Sequence, residues 1–467
     1  MPPKFDKIQA VKYAPPPPGI PVHGFVPPER ASFLGRANYA AALQTKNFIF
    51  GVDRRDRARH MYVVGKSGSG KSKFLELLLR QDIAYGYGLC FIDPHGEIIE
   101  EILDFIPESR RDDVRYVNLR DREFPVSVNP FFGMPEQYRH QYVEFLVEIF
   151  REYCGELWTQ EAEYVSRFGC RALLDYKGAS FFGVLSMLTN PDYRKEVLKE
   201  VKDSVVRNFW EKEFNKKKEL FDEKVTLPWK TRFGHLFFDP HARHLFSQER
   251  PSVDFVSSIE ERKIVLIALP KGAMPDDVVG FIGALYLALF RIAGLMQRGA
   301  RKKERDFYLY VDEFQNLQLG PFIHLLPECG KSGVSVTLAH RYIGQIPDAV
   351  RTAIFGNVGT VVVFRVSGED AVRLRSEMAP VFDAKDMLNL GTREFYIKTI
   401  VRGEACDPFS GEALRVFPPG GASFREHIVA RSRELLAIPK DEAEKSFERE
   451  LGAYAWENSE KPRSGVV

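Results

Sequence analysis

Short apolar runs ending in glycine or acidic turns alternate, along two stretches of the chain, with segments whose apolar positions recur every three to four residues. Arg59-His60-Met61-Tyr62-Val63-Val64 runs into a Gly/Ser loop and then into Lys73-Phe74-Leu75-Glu76-Leu77-Leu78-Leu79, which reads as buried strand, loop and helix. Gly88-Leu89-Cys90-Phe91-Ile92 ends at Asp93-Pro94-His95-Gly96, a strand followed by a turn, and Val114-Arg115-Tyr116-Val117 is a third strand. The same texture returns with Lys263 to Leu269, the apolar helix Val278 to Met296, and the strands Phe307 to Val311, Val334 to Leu338 and Gly359 to Arg365. Strands without polar alternation, separated by helices, predict a parallel sheet covered on both faces.

Between these stretches the strand signal fades. Tyr142, Val143, Phe145, Leu146, Ile149 and Phe150 fall at helical spacing, as do Tyr164, Phe168, Ala172 and Leu173. Lys/Glu-rich segments such as Glu211 to Glu219 resemble solvated helix faces. The pattern predicts an all-helical insertion over residues 136–254, splitting an α/β core into 48–135 and 255–418. Residues 1–47 read as an arm, because Pro15 to Pro18, Pro21, Pro27 and Pro28 favour extended polyproline geometry. Residues 419–467 read as a charged, helical tail.

Composition changes this picture little. At 467 residues, 44% hydrophobic and 28% charged, the chain is of ordinary globular composition and too long for one small core. Lys and Arg number 66 against 64 Asp and Glu, so any basic footprint for nucleic acid has to be local. The five cysteines (Cys90, Cys154, Cys170, Cys329 and Cys406) show neither a CxxC pair nor zinc spacing, which fits reduced thiols. The N-terminus lacks the apolar core of a signal peptide and no apolar run reaches about 18 residues, so a cytoplasmic protein without membrane insertion of its own is expected.

The chemistry concentrates in two places. Gly65-Lys66-Ser67-Gly68-Ser69-Gly70-Lys71-Ser72 fits the phosphate-binding loop pattern G-x-x-x-x-G-K-[ST], here between a strand and a helix as the pattern requires. Glycines let backbone N–H groups surround a phosphate closely, and the following helix turns its positive end to the same anion. Lys71 is expected to reach the β- and γ-phosphates of ATP, and the Ser72 hydroxyl to ligate Mg²⁺. The strand Phe307 to Val311 delivers Asp312 and Glu313 at its C-terminal end, where open α/β sheets bind ligands. Asp312 suits holding the Mg²⁺ shell, and Glu313 suits polarising the attacking water. His95 has no ligand partners at metal spacing and reads as a turn residue; Asp93 and Glu97 could touch the Mg²⁺ water shell, or serve only the turn.

Taken together, GKSGSGKS, FIDPHGE (Phe91 to Glu97), YVDEFQN (Tyr310 to Asn316), LAHRYIGQI (Leu338 to Ile346) and FGNVGTVVVFRVSGEDA (Phe355 to Ala371) resemble the HerA-FtsK superfamily, most of all its conjugative-transfer and type IV secretion coupling branch. The resemblance spans Phe48 to Phe409. It implies a RecA-like three-layer P-loop NTPase core, an inserted all-helical domain, a homo-hexameric ring and DNA in a central channel. A relaxase or secretion-channel proteins are the further partners it implies. It also implies an arginine reaching the γ-phosphate in trans, for which Arg365 is the first candidate and Arg351 and Arg341 follow. The family's sensor glutamine is replaced: the chain reads Ala339-His340-Arg341, which leaves that position to Arg341 in another role or to Gln345.

For DNA, the basic clusters Arg54-Arg55-Asp56-Arg57, Lys216 to Lys218 and Arg301-Lys302-Lys303 are candidates, although such runs are commonly solvated faces. The expectation is an ATP-driven DNA translocase. Its alternatives are an ATPase energising protein secretion or pilus assembly, or a nucleotide-dependent assembly switch in a defence complex.

Overall fold

The computed structural model describes residues 11–39, 48–297 and 307–453. Two compact units emerge, one from residues 1–120 with 253–435 and the other from 121–252 with 436–467.

The first unit is built on an 11-stranded sheet. In chain order the strands are β1 (Ala31–Ala37), β2 (Ile49–Asp53), β3 (Met61–Val64), β4 (Gly88–Asp93), β5 (Val114–Asn118) and β6 (Ile264–Ala268), then β7 (Phe307–Val311), β8 (Val334–His340), β9 (Thr360–Val363), β10 (Glu394–Lys398) and β11 (Phe409–Ala413). Their spatial order is β2-β1-β11-β10-β9-β3-β8-β7-β4-β6-β5. From β9 to β5 every pairing is parallel, with Val63 level with Ala339 and Val362, and Ile92 level with Val311. Every residue of β3, β4, β6, β7 and β8 is buried, as a sheet covered on both faces requires.

The other four strands are antiparallel additions that the sequence pattern does not announce. Residues 31–37, expected within an extended arm, instead form β1, wedged between β2 and β11. Before it the Pro-rich segment lies on the sheet as a strap: Ala14 N–H donates to Ser410 Oγ at 3.0 Å and Tyr396 OH to the Lys12 carbonyl at 2.8 Å. Close packing here needs glycine, since a Cβ on Gly411 would sit 2.6 Å from the Phe50 ring.

One helix of the described residues, Asp276–Gln297, is long and apolar enough to cross a membrane (mean hydropathy 2.0), and 94% of that span is buried within the unit. Its Phe290 ring meets Phe307 of β7 at 5.9 Å. The helix Arg425–Leu436 runs along the sheet's β5 edge, where Ser432 Oγ accepts from Tyr116 N–H at 3.1 Å.

The second unit is helical, led by Glu136–Cys154 and Gln160–Leu173. Aromatic rings fill it: Phe150 meets Trp229 at 5.1 Å, and Phe168 stacks on Phe209 at 4.0 Å. Its boundaries fall at 121 and 252 rather than at 136 and 254, and the stretch 419–467 is divided. The helix Lys440–Ala453 belongs to this unit because its apolar face is needed there, with Phe447 against Phe182 at 5.9 Å and Glu444 Oε2 2.6 Å from His244 Nε2.

Candidate nucleotide site

The loop Gly65 to Ser72 leaves the C-terminal end of β3 and enters the helix Lys71–Ala84, which we call α1. Two backbone bonds seat it between the neighbouring strands: Gly65 N–H donates to the His340 carbonyl at 3.3 Å, and Lys66 N–H to the Arg365 carbonyl at 2.9 Å. Gly68 and Gly70 take φ of 74° and 113°, values that L side chains resist. At Gly65 a Cβ would lie 2.6 Å from Phe364 Cβ and 2.7 Å from Ser69 Oγ, so the loop's tightness depends on glycine there. The turn before β10 closes the loop from another side, where Arg393 N–H donates to the Ser69 carbonyl at 2.8 Å.

No side chain among the described residues caps α1. Gly70 offers no side chain, the first turn carries no acidic residue, and the Ser69 hydroxyl is buried without a partner among the described residues. An uncapped helix start preceded by a glycine loop is the donor set that a phosphate satisfies.

Lys71 points from this loop to the end of β7. Its Nζ lies 2.5 Å from Asp312 Oδ1 and 3.1 Å from Glu313 Oε1, all three residues being at least 95% buried. Glu313 is in the left-handed backbone region (φ 45°), an uncommon conformation for a non-glycine residue. Its N–H turns back to Asp312 Oδ1 at 2.8 Å, while Oε2 accepts from Gln315 Nε2 at 2.6 Å and Oε1 from Arg341 Nε at 2.7 Å. Burial alone pushes the Glu313 carboxyl up, but the Lys71 charge, with the Gln315 and Arg341 bonds, outweighs it and holds the group at about 2. It is therefore ionised at neutral pH.

His340 ends β8 beside this cluster, its Nε2 bonded to the Tyr62 hydroxyl. Burial first, then the Lys71 charge, lowers it to about 3, so it is a neutral imidazole. Asp93 spends its carboxylate on its own turn, accepting from His95 N–H at 2.9 Å and Ile98 N–H at 3.1 Å. Burial and then the nearby Asp312 raise its pKa. Glu97 is exposed, and no cluster of three or more His, Cys, Asp or Glu fit for a metal occurs among the described residues.

The structure thus brings together Gly65 to Lys71, Asp312, Glu313 and Arg341, with Ser72 exposed on the first turn of α1. Arg365 stands beside the loop of its own chain, half-buried, tied there by its carbonyl. Arg351 pairs with Asp348 at 2.8 Å in the first turn of the helix Asp348–Asn357, and Gln345 is exposed in the turn Ile343–Gln345. Gln315 and Arg393 were not among the expected residues. Gln315 was legible as a polar side chain two positions beyond Glu313; Arg393 enters through backbone contact, which carries no sequence signal.

One basic cluster is corrected. Arg54 and Arg57 are 3% and 1% exposed and serve the core, not a DNA surface. Arg54 Nη1 lies 2.6 Å from Asp82 Oδ1, and Arg57 Nη1 lies 3.0 Å from the same oxygen, while Arg57 Nη2 donates to Tyr310 OH at 2.6 Å. The aromatic faces of Tyr87 and Tyr308 cover the two guanidinium groups. Lys216 to Lys218 are exposed, and Arg301 to Lys303 fall outside the described residues.

Residues 43–221 match the family described as the central domain of the helicase HerA. The chain resembles HerA over this stretch. Among solved structures it shares the fold of the plasmid coupling protein TrwB, in complex with a non-hydrolysable ATP analogue, at 15% identity and a TM-score of 0.59 over 86% of this chain and 99% of that one. TrwB in complex with ADP and Mg²⁺ is similar at 13% identity and a TM-score of 0.57, over 87% and 98%. VirB4 of Thermoanaerobacter pseudethanolicus aligns at 14% identity and a TM-score of 0.56, over 83% and 97%. No curated protein matches the sequence. The α/β P-loop fold with its largely parallel sheet is common to this chain and these structures.

Proposed function

We propose that this protein is an ATP-hydrolysing motor of the conjugative-transfer or type IV secretion kind, acting on DNA as a homo-hexameric ring. The observation that carries the reading is the convergence of Lys71 with Asp312 and Glu313 at the mouth of an uncapped glycine loop. A lysine buried against two carboxylates is poised to exchange one of them for phosphate oxygens, and the loop supplies the remaining donors.

In this reading the loop amides of Gly65 to Ser72 and Lys71 hold the phosphates of ATP, and Ser72 and Asp312 hold Mg²⁺. That donor set fits the ion, which keeps several waters and uses one or two protein oxygens together with phosphates. When bound, Mg²⁺ neutralises charge developing on the phosphate oxygens. Glu313 orients a water against the γ-phosphate and takes its proton; the new P–O bond forms as the bond to ADP breaks. Phosphates sharing Lys71 weaken its hold on Glu313 and make the carboxylate a better base. Arg365, whose carbonyl accepts from Lys66 N–H at 2.9 Å, is the first candidate for the arginine that reaches the γ-phosphate of a neighbouring subunit.

The fold shared with TrwB and VirB4 supports a place in conjugation or secretion, with a relaxase or secretion-channel proteins as partners. DNA as the cargo is tested by steady-state ATP hydrolysis of the full chain at low and high salt, with and without DNA, beside Lys71→Ala. A several-fold, salt-sensitive stimulation that disappears in Lys71→Ala is expected. Hydrolysis indifferent to DNA sinks the DNA reading and favours an energiser of protein secretion. The absence of hydrolysis favours an assembly switch.

A further inference from the structure

Glu313 is held by three donors of different kinds. Lys71 and Arg341 both bind Oε1, at 3.1 and 2.7 Å, and Gln315 binds Oε2 at 2.6 Å. Lys71 is the donor that phosphates compete for, and Gln315 lies in the same short turn as Glu313 and moves with it. Arg341 alone ties the carboxylate to a different strand, for it follows directly on β8, whose last residue His340 is fully buried. Only its Nε is used. Neither terminal guanidinium nitrogen makes a hydrogen bond among the described residues, and the side chain is 39% exposed.

Gln345 does not take this place: its side chain makes no hydrogen bond among the described residues, and it is exposed. An arginine differs from a glutamine here in two ways that matter. It can only donate, so it cannot relay the proton Glu313 receives, and it remains charged at every working pH. It therefore holds the carboxylate in place even while Lys71 is occupied elsewhere.

We propose that Arg341 is the positioning residue for Glu313, anchoring the carboxylate to β8 so that it meets the attacking water in one orientation. This rests on the reading of Glu313 as the base of an ATPase. A purely structural role makes the opposite forecast, because an ion pair with a partner this exposed contributes little to stability.

The test is single-turnover and steady-state hydrolysis by the full chain, comparing wild type with Arg341→Ala, Arg341→Lys, Glu313→Gln, Lys71→Ala and the double variant Glu313→Gln/Arg341→Ala. Arg341→Ala is expected to lower kcat roughly 10- to 100-fold, the scale of a misplaced catalytic group, with KM for ATP within about twofold of wild type. Arg341→Lys is expected to recover part of the loss, and the double variant to be no slower than Glu313→Gln alone, since Arg341 acts through that carboxylate. A full kcat in Arg341→Ala overturns the proposal. So does a raised KM at unchanged kcat, which moves Arg341 to phosphate binding, or a double variant in which the two losses multiply. If wild type shows no Lys71-dependent hydrolysis, the underlying ATPase reading fails and takes this one with it. If Lys71→Ala and Glu313→Gln abolish turnover while Arg341→Ala is normal, this proposal alone fails.

Discussion

Lys71 Nζ lies 3.1 Å from Glu313 Oε1, a contact made across 242 positions of chain between the start of α1 and the end of β7. The same ammonium lies 2.5 Å from Asp312 Oδ1, so one positive charge balances two buried carboxylates. Its removal should be felt even without ligand. Lys71→Ala is expected to abolish nucleotide binding and, separately, to destabilise the ligand-free protein by about 3 kcal/mol, near the low end for breaking a buried pair because Arg341 still serves Glu313. Urea denaturation at neutral pH reads the second effect; an unchanged midpoint would mean the carboxylates find other compensation.

Glu313→Gln keeps the shape and an oxygen that can still accept from Lys71 and Arg341, but it cannot take up the proton of an attacking water. Hydrolysis should fall by about 10² to 10⁴, the range for losing a general base, while nucleotide binding persists. Equilibrium binding of a fluorescent ATP analogue beside single-turnover rates separates the two quantities. Parallel loss of both would assign Glu313 to holding nucleotide.

Asp82 is the only carboxylate among the described residues bonded to both Arg54 and Arg57, at 2.6 and 3.0 Å, and it is fully buried. Asp82→Ala strands two buried guanidinium groups and is expected to cost about 3 to 5 kcal/mol. Arg55→Ala, at the exposed position between them, should stay within about 0.5 kcal/mol. Chemical denaturation of both variants tests the contrast, and near-equal midpoints would refute the core role.

His60 gives the protein an acid sensitivity. Its Nδ1 accepts from Val336 N–H at 3.0 Å, so the proton sits on Nε2, which donates to the Leu326 carbonyl at 2.8 Å. Burial lowers its pKa from 6.5 to about 4, the carbonyl only partly opposing this. The unfolded chain therefore takes up the proton first as pH falls. Stability is full above pH 6.5 and declines towards pH 4, by up to roughly 3 kcal/mol from this residue. Unfolding midpoints across that window should fall in wild type and fall less in His60→Gln; equal slopes would remove His60 as the cause.

The sequence by itself determined the parallel half of the sheet and the glycine loop. Uninterrupted runs such as Met61 to Val64 and Phe307 to Val311 are buried on both faces, and a loop of fixed glycine spacing needs no distant partner to be legible. The pairing of Asp312 with Glu313 at a strand end was legible for the same local reason. Only the tertiary structure decided the rest. β1 is held by β2 nearby and by β11 far along the chain, and its seven residues carry no pattern that could name the distant partner. Arg54 and Arg57 look like a solvated basic run until Asp82, Tyr308 and Tyr310 enclose them. Arg341 reads as a departure from a family pattern until β8 is laid beside β7, which brings its guanidinium to Glu313. Propensity and periodicity act over a few residues, whereas burial and charge compensation are set by neighbours that only the folded sheet brings together.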